Sequence, residues 1–79
     1  MQKNFTVDLS NIDNLEGFVR EIIEVKSDVN ASYKNQVVDA KSLLGVVMVS
    51  AHPIEVEIIS DDEEEIKMFE EICKKYEEK

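Results

Sequence analysis

Ser42 is the residue of this chain whose side chain and neighbours most clearly indicate a chemical role. Its hydroxyl precedes Leu43–Val49, a run of leucines, valines and a methionine around Gly45. Serine is preferred at the start of a helix, and its hydroxyl can also accept a phosphoryl group. A chain of 79 residues has room for few aliphatic side chains in its core. We therefore expect part of this short helix to face outward, as a docking surface beside a modifiable serine.

The single histidine and the single cysteine offer less chemistry. His52 stands before Pro53 in a loop, without a second histidine or cysteine at ligand spacing, so we expect an exposed side chain with no catalytic or metal role. Cys73 lies on an apolar stripe and is expected in the core, and one cysteine excludes an internal disulfide. The sequence shows no paired acid and base, no metal-ligand cluster and no glycine-rich phosphate loop. It therefore predicts a protein that is not an enzyme and has no cofactor.

The elements that would position these residues follow from hydrophobic periodicity, in the order β-α-β-β-α-β-α. The predicted elements are a strand at 5–9, a helix from 12 to about 26, strands at 29–33 and 37–40, a short helix after Ser42, a strand at 54–58 and a last helix from Ser60. Strands with one apolar face and helices with one apolar stripe predict two layers. The fold class is therefore α+β, with a four-stranded antiparallel sheet and three helices on one face.

Turn and cap residues refine these boundaries. Lys34 and Asn35 predict a hairpin turn, with Asn35 the better residue for a left-handed conformation. Ser60, with Glu63 three residues later, predicts a capping box. Gly17 lies inside a predicted helix at a cost of about 1 kcal/mol relative to alanine, and the sequence gives no reason for it.

Composition limits the class of partner. The chain carries 18 acidic and 9 basic residues, a net charge of −9, and has no basic patch for nucleic acid or anionic membranes. Its length predicts one domain, residues 1–79. No apolar run approaches the roughly 20 residues of a membrane span, and no signal peptide is evident. We therefore expect a cytoplasmic protein.

The segment from Lys41 to Val49 resembles the regulatory-serine motif of the HPr family, the histidine-containing phosphocarriers of the sugar phosphotransferase system. The order of elements also fits that family over nearly the whole chain. The resemblance implies an open-faced sandwich of four strands and three helices. In that family the phosphorylated histidine starts the first helix, within a Gly-Ile-His-Ala-Arg-Pro type motif.

An ungapped alignment from Ser42 places different residues in that histidine motif. Asn11 stands at the histidine, Asp13 at the arginine and Asn14 at the proline. Asparagine offers no comparable nucleophile, and an aspartate would repel a phosphoryl group. The chain is therefore similar to the catabolite-repression HPr paralogues (Crh), which keep the serine and lose the histidine. We expect no active phosphocarrier, and the nearest other hydroxyls, Ser10 and Thr6, have no evident base.

The resemblance also implies partners and a regulatory site. It implies that HPr kinase/phosphorylase modifies Ser42. A transcription regulator is another candidate partner. Small molecules, nucleic acids and membranes are not expected to bind. The expected partner-binding residues are Leu43, Leu44, Val47 and Met48.

Charge on the first helix modifies this expectation. Electrostatic steering toward the family's usual acidic partners should be poor or reversed, because the predicted first helix is mostly acidic. Its charged residues are Asp13, Glu16, Glu21 and Glu24 against Arg20 and Lys26.

Other interpretations remain open from the sequence. Ser42 could be a helix cap alone, since capping explains a serine without any kinase. The chain could also be an unregulated interaction module that recruits an unrelated partner through its acidic face. A third alternative is a true phosphocarrier with another acceptor residue.

Overall fold

A computed structural model describes residues 2–77, and its elements follow the predicted order. They are β1 (Asn4–Val7), α1 (Ile12–Ile22), β2 (Asp28–Tyr33), β3 (Gln36–Asp39), α2 (Leu43–Val49), β4 (Ile54–Ile59) and α3 (Glu63–Tyr76). The strands form one antiparallel sheet in the order β1-β4-β2-β3. The predicted α+β fold of four strands and three helices is confirmed.

The core lies between the helices and one face of the sheet. Alternation along β4 buries Ile54, Val56 and Ile58 and leaves the residues between them exposed. The helices contribute the other side of the core, with α1 giving Leu15, Phe18, Val19 and Ile22, α2 giving Val46 and Val49, and α3 giving Ile66, Phe69, Ile72 and Cys73. Cys73 is fully buried, as predicted, and burial raises the pKa of its thiol to about 12.

Helix α1 is shorter than the periodicity predicts. It ends at Ile22 and not near Lys26, because the chain tightens into a turn in which the Val25 N–H donates to the Ile22 carbonyl. The next two N–H groups, of Lys26 and Ser27, donate to the Glu65 carboxylate of α3. A side chain from a distant helix thus takes the backbone groups that a longer helix would have used.

The sequence predicts the wrong residue for the left-handed position of the hairpin turn. The hairpin between β2 and β3 places Lys34, not Asn35, in the left-handed region, with φ 54°. The first position of this two-residue loop carries the positive φ, and the Lys34 Nζ lies 5.5 Å from the centre of the Tyr33 ring.

The predicted capping box at Ser60 does not form. The N-cap of α3 is Asp62, whose Oδ1 accepts from the Glu64 N–H at 2.9 Å and the Glu65 N–H at 3.4 Å. The Ser60 hydroxyl instead accepts from the Asp62 N–H at 3.0 Å, two residues before the N-cap. Asp62 is favoured as the N-cap because a carboxylate at a helix start also interacts favourably with the helix dipole.

Gly17 has a packing reason that the sequence does not reveal. A Cβ at this position would lie 2.8 Å from the hydroxyl of Tyr76, which crosses α1 from the end of α3. That hydroxyl donates to the Glu21 carboxylate at 2.7 Å, and the Tyr76 ring meets Phe18 edge-on at 5.5 Å. The absence of a side chain at Gly17 therefore allows α1 and α3 to share this contact.

Candidate docking site

The start of α2 is held by the Ser42 side chain. Ser42 has extended backbone angles, and its Oγ accepts from the Gly45 N–H at 3.2 Å, which makes it the N-cap of the helix. A Cβ at Gly45 would lie 3.2 Å from the Val38 Cβ of β3 and 3.5 Å from the Ser42 Oγ. The glycine thus lets α2 approach the sheet while the exposed serine hydroxyl stays uncrowded.

The outer side of α2 is apolar. Val46 and Val49 point into the core with at most 2% of their surface exposed. The remaining large side chains of the helix are exposed, at 43% for Leu43, 81% for Leu44, 47% for Val47 and 70% for Met48. These four residues are called the α2 patch here. Apolar surface of this extent on one short helix is typical of a contact site for another protein.

A groove of about 310 Å³ adjoins the α2 patch between α1 and the start of α2. Its walls are mostly aliphatic, from Val19, Ile23 and Leu43, and two cations border it, Arg20 and Lys41. Neither cation forms an ion pair with a carboxylate in residues 2–77. The groove thus brings Arg20 of α1 and Lys41 of the loop before Ser42 to one surface, where Glu16 is the carboxylate in the lining.

The start of α1 carries the residues at the histidine motif. Asn11 is the N-cap, and its Oδ1 accepts from the Asp13 N–H at 2.8 Å and the Asn14 N–H at 3.4 Å. The Asn11 side chain is therefore committed to the helix end, and the Asp13 carboxylate adds negative charge to the first turn. This arrangement contains no nucleophilic nitrogen at the helix start.

The hydroxyl of Ser10 has a carboxylate partner, which the sequence did not indicate. It donates to the Asp8 Oδ1 at 2.7 Å, and the Ser10 N–H donates to the same oxygen at 3.0 Å. These hydrogen bonds, first the hydroxyl and then the amide, lower the pKa of Asp8. A carboxylate with a lowered pKa is a weaker base, so the pair gives Ser10 little activation.

His52 lies in the loop between α2 and β4, where its imidazole is exposed. The ring stacks on Tyr33 with 4.5 Å between centroids and 14° between planes. Within residues 2–77 no three histidine, cysteine or acidic side chains are grouped to hold a metal ion. The stacking gives His52 a packing contact in the fold.

Sequence reasoning missed exposed apolar residues outside α2. Ile12 and Ile23, at the two ends of the predicted α1 stripe, are 59% and 55% exposed, and Ile23 lines the groove beside Leu43. Val37 and Ile59, on the sheet, are 65% and 52% exposed. Helical periodicity cannot show that a stripe extends past the core, since it records direction and not depth.

Comparisons with known proteins identify the family and the fold of the chain. The family model described as the PTS HPr component phosphorylation site matches residues 16–78. That match begins after Asn11 and Asp13 and includes Ser42. No curated protein matches the sequence. No helix within residues 2–77 has the length and apolar character that a membrane crossing requires.

The chain is also similar in fold to a solved structure. The crystal structure of HPr-C-His from Thermoanaerobacter tengcongensis superimposes with a TM-score of 0.70. The two sequences are 20% identical, and the alignment covers 92% of each chain. At this identity the likeness concerns the fold, which is that of an HPr-like open-faced sandwich.

Proposed function

Because this chain belongs to the HPr family of the sugar phosphotransferase system, we propose that it acts by docking to protein partners and does not itself carry a phosphoryl group. The α2 patch would form the contact, and phosphorylation of Ser42 would switch it. The protein would then be a regulatory member of the family, similar to Crh. In this role the protein would catalyse no reaction of its own.

The observation that carries this proposal is the outward face of α2. Four adjacent apolar side chains are exposed on a helix whose other residues fill the core, and the serine that begins the helix is exposed beside them. A phosphate on Ser42 would add about two negative charges at the edge of this patch. Partners that need an apolar surface would then be disfavoured, and partners with cations beside their apolar surface would be favoured.

The charges around the patch indicate how a partner would be oriented. Arg20 and Lys41 border the groove next to Leu43, while Glu16 lies on the same groove and Asp13 lies in the first turn of α1. A partner would therefore place carboxylates over the groove and cations over the start of α1. This mixed pattern attracts acidic partners of the family's usual kind only weakly, so such partners should associate more slowly.

The lack of phosphocarrier activity is proposed from the start of α1. The Asn11 amide caps the helix and has no lone pair comparable to that of an imidazole. Incubation with phosphoenolpyruvate and enzyme I, followed by intact-mass measurement under non-acidic conditions, should add no phosphate. An acid-labile gain of one phosphate would show that another residue accepts the group, and this part of the proposal would then be abandoned.

The switch is tested by incubation with ATP and an HPr kinase/phosphorylase. The expected result is a gain of one phosphate that is lost in Ser42→Ala, with Ser10→Ala as a matched hydroxyl deletion that keeps the gain. No gain, or a gain that survives Ser42→Ala, would leave Ser42 as the N-cap of α2 alone.

The docking patch is tested by titrating the protein with the same kinase in the absence of ATP. Leu43→Glu and Val47→Glu should each weaken binding by about tenfold or more, since an ionised carboxylate would be placed in an apolar contact. Val37→Glu is the matched control, because Val37 is an exposed valine on the sheet and lies outside the patch. Equal losses in all three variants would mean that added negative charge, and not the patch, governs binding.

A further inference from the structure

Within residues 2–77, no helix or strand covers the face of the sheet opposite the helices. Along β4 the side chains of Glu55, Glu57 and Ile59 alternate with buried residues and point to this side. The pairing register places Glu57 beside Asn30 of β2 and Asn30 beside Asp39 of β3, so one row of side chains crosses the sheet. We call this surface the open sheet face.

The charge on the open sheet face is mostly negative. Its strands carry four exposed carboxylates, those of Asp28, Asp39, Glu55 and Glu57, and the cation at its edge is Lys34 of the hairpin, which lines a recess with Glu55. Within residues 2–77 none of them forms an ion pair with a side-chain nitrogen within 4.0 Å, whereas Glu21 and Asp61 elsewhere do, and Asp39 accepts a hydrogen bond from the Lys41 backbone N–H. The register places no two of these carboxylates directly opposite each other, so they form a spread negative surface that a cationic partner would complement.

The same face also carries exposed apolar side chains on both sides of β2. Val37 of β3 and Ile59 of β4 flank β2 and are 65% and 52% exposed. Together with Asp28 and Asp39 they line a shallow recess of about 320 Å³. An aliphatic side chain would fit between two carboxylates there, with room for a positive group on either side.

We propose that the open sheet face binds a cationic amphipathic helix of a partner protein. Its aliphatic side chains would enter the recess between Val37 and Ile59, and its lysines or arginines would reach Glu55 and Glu57. Four strands span about 19 Å, so a helix with a diameter of about 10 Å can lie across the face. This partner site is on the opposite side of the molecule from the α2 patch and does not depend on it.

Charge decides between a partner protein and a second copy of this chain. Two copies joined through this face would bring eight carboxylates together, four from each, on molecules with a net charge of −9. Like charges brought together across an interface are strongly unfavourable. A basic partner meets the same surface with complementary charge.

The test uses a synthetic helical peptide of lysine, leucine and alanine, about 14 residues and thus about 21 Å long. Amide chemical shifts of the ¹⁵N-labelled protein are followed during titration at low and at physiological salt. The double variant Glu55→Gln/Glu57→Gln should weaken binding by about fivefold. Its matched control is Glu63→Gln/Glu64→Gln, which removes the same charge from the exposed first turn of α3 and should change affinity by less than about twofold.

A second pair of variants tests the apolar recess without changing charge. Val37→Ser should weaken peptide binding by about threefold, because it removes apolar contact. Leu44→Ser, on the α2 patch, should leave peptide binding unchanged. Unchanged spectra and melting temperatures of the free variants would show that their folds are intact.

Shift changes on β2, β3 and β4 with these affinity losses would support the proposal. Shift changes on the acidic start of α3, or equal losses in the two double variants, would overturn it in favour of attraction to net charge alone. No binding at low salt would overturn it as well. A dimer that buries this face, detected by sedimentation without peptide, would replace the partner by a second copy.

Discussion

Gly17 allows a direct test of how α1 and α3 are joined, through the change Gly17→Ala. Alanine is favoured over glycine inside a helix by about 1 kcal/mol, so propensity alone predicts a more stable protein. The added Cβ would, however, lie 2.8 Å from the Tyr76 hydroxyl and 3.8 Å from the ring carbon that bears it. The first distance requires the ring to move, while the second is an ordinary contact.

The size of the effect follows from what Tyr76 would lose. Its hydrogen bond to the Glu21 carboxylate is worth about 1.5 kcal/mol, at the low end for a charged partner because Glu21 is partly exposed. Weakening of the edge-on contact with Phe18 adds about 0.5 kcal/mol. After the propensity gain, Gly17→Ala should destabilise the fold by about 1 kcal/mol. The melting temperature of a domain of this size should fall by about 4–8 °C.

The assay is a double-mutant cycle with Tyr76→Phe, measured by urea unfolding. Tyr76→Phe alone should cost about 1.5 kcal/mol, because it removes the hydrogen bond to Glu21. In the Tyr76→Phe background the steric conflict is absent, so Gly17→Ala should stabilise the protein by up to about 1 kcal/mol. The sign of the alanine effect thus depends on one oxygen atom. If Gly17→Ala stabilises the protein with Tyr76 intact, or has the same effect in both backgrounds, the contact does not explain the glycine.

Four further predictions concern pH, thiol reactivity and capping. Hydrogen bonds from Lys75 and then Tyr76 lower the pKa of Glu21, so this carboxylate stabilises the fold above its ordinary pKa of 4.5. The urea concentration at the unfolding midpoint should therefore fall as the pH drops through the lowered value. Burial, with the Glu21 hydrogen bond, raises the pKa of Tyr76 to about 12, so its contribution is complete below pH 10 and should be lost between pH 10 and 12. Cys73, with a thiol pKa of about 12, should react with a disulfide reagent only as fast as the protein opens, and reaction at the rate of a free thiol would contradict its burial. Asp62→Ala should lower the unfolding free energy by about 1 kcal/mol and Ser60→Ala by less than half of that. A larger loss for Ser60→Ala would instead support the capping box that the sequence predicts.

The element order was predictable from the sequence because each element has one buried side. Strict alternation in β4 and the spacing of Val46 and Val49 in α2 each identify the buried side of the element. The fold packs these buried sides against one another. The end of α1 was not predictable, because Glu65 captures N–H groups of residues that are 39 and 38 positions away. Local patterns contain no information on such a long-range hydrogen bond.

The candidate sites divide in the same way. Exposure of Leu43, Leu44, Val47 and Met48 was expected from an excess of apolar residues on a short helix. The groove beside Leu43 was not expected, because it needs the relative placement of Arg20 and Ile23 on another helix. The open sheet face was missed for a similar reason, since its rows exist only after the strand register is set.

The position of β4 inside the sheet has a consequence for the order in which the chain folds. Only β2 and β3 are neighbours both in sequence and in the sheet, whereas β4 pairs with β1 on one side and β2 on the other. Closing those two pairings requires long loops, which slows folding relative to a helical bundle of the same size. On the ribosome, β1 has no strand partner until β4 emerges. The hairpin at Lys34 is thus the part of the sheet that can form early, and β4 completes the sheet in one step.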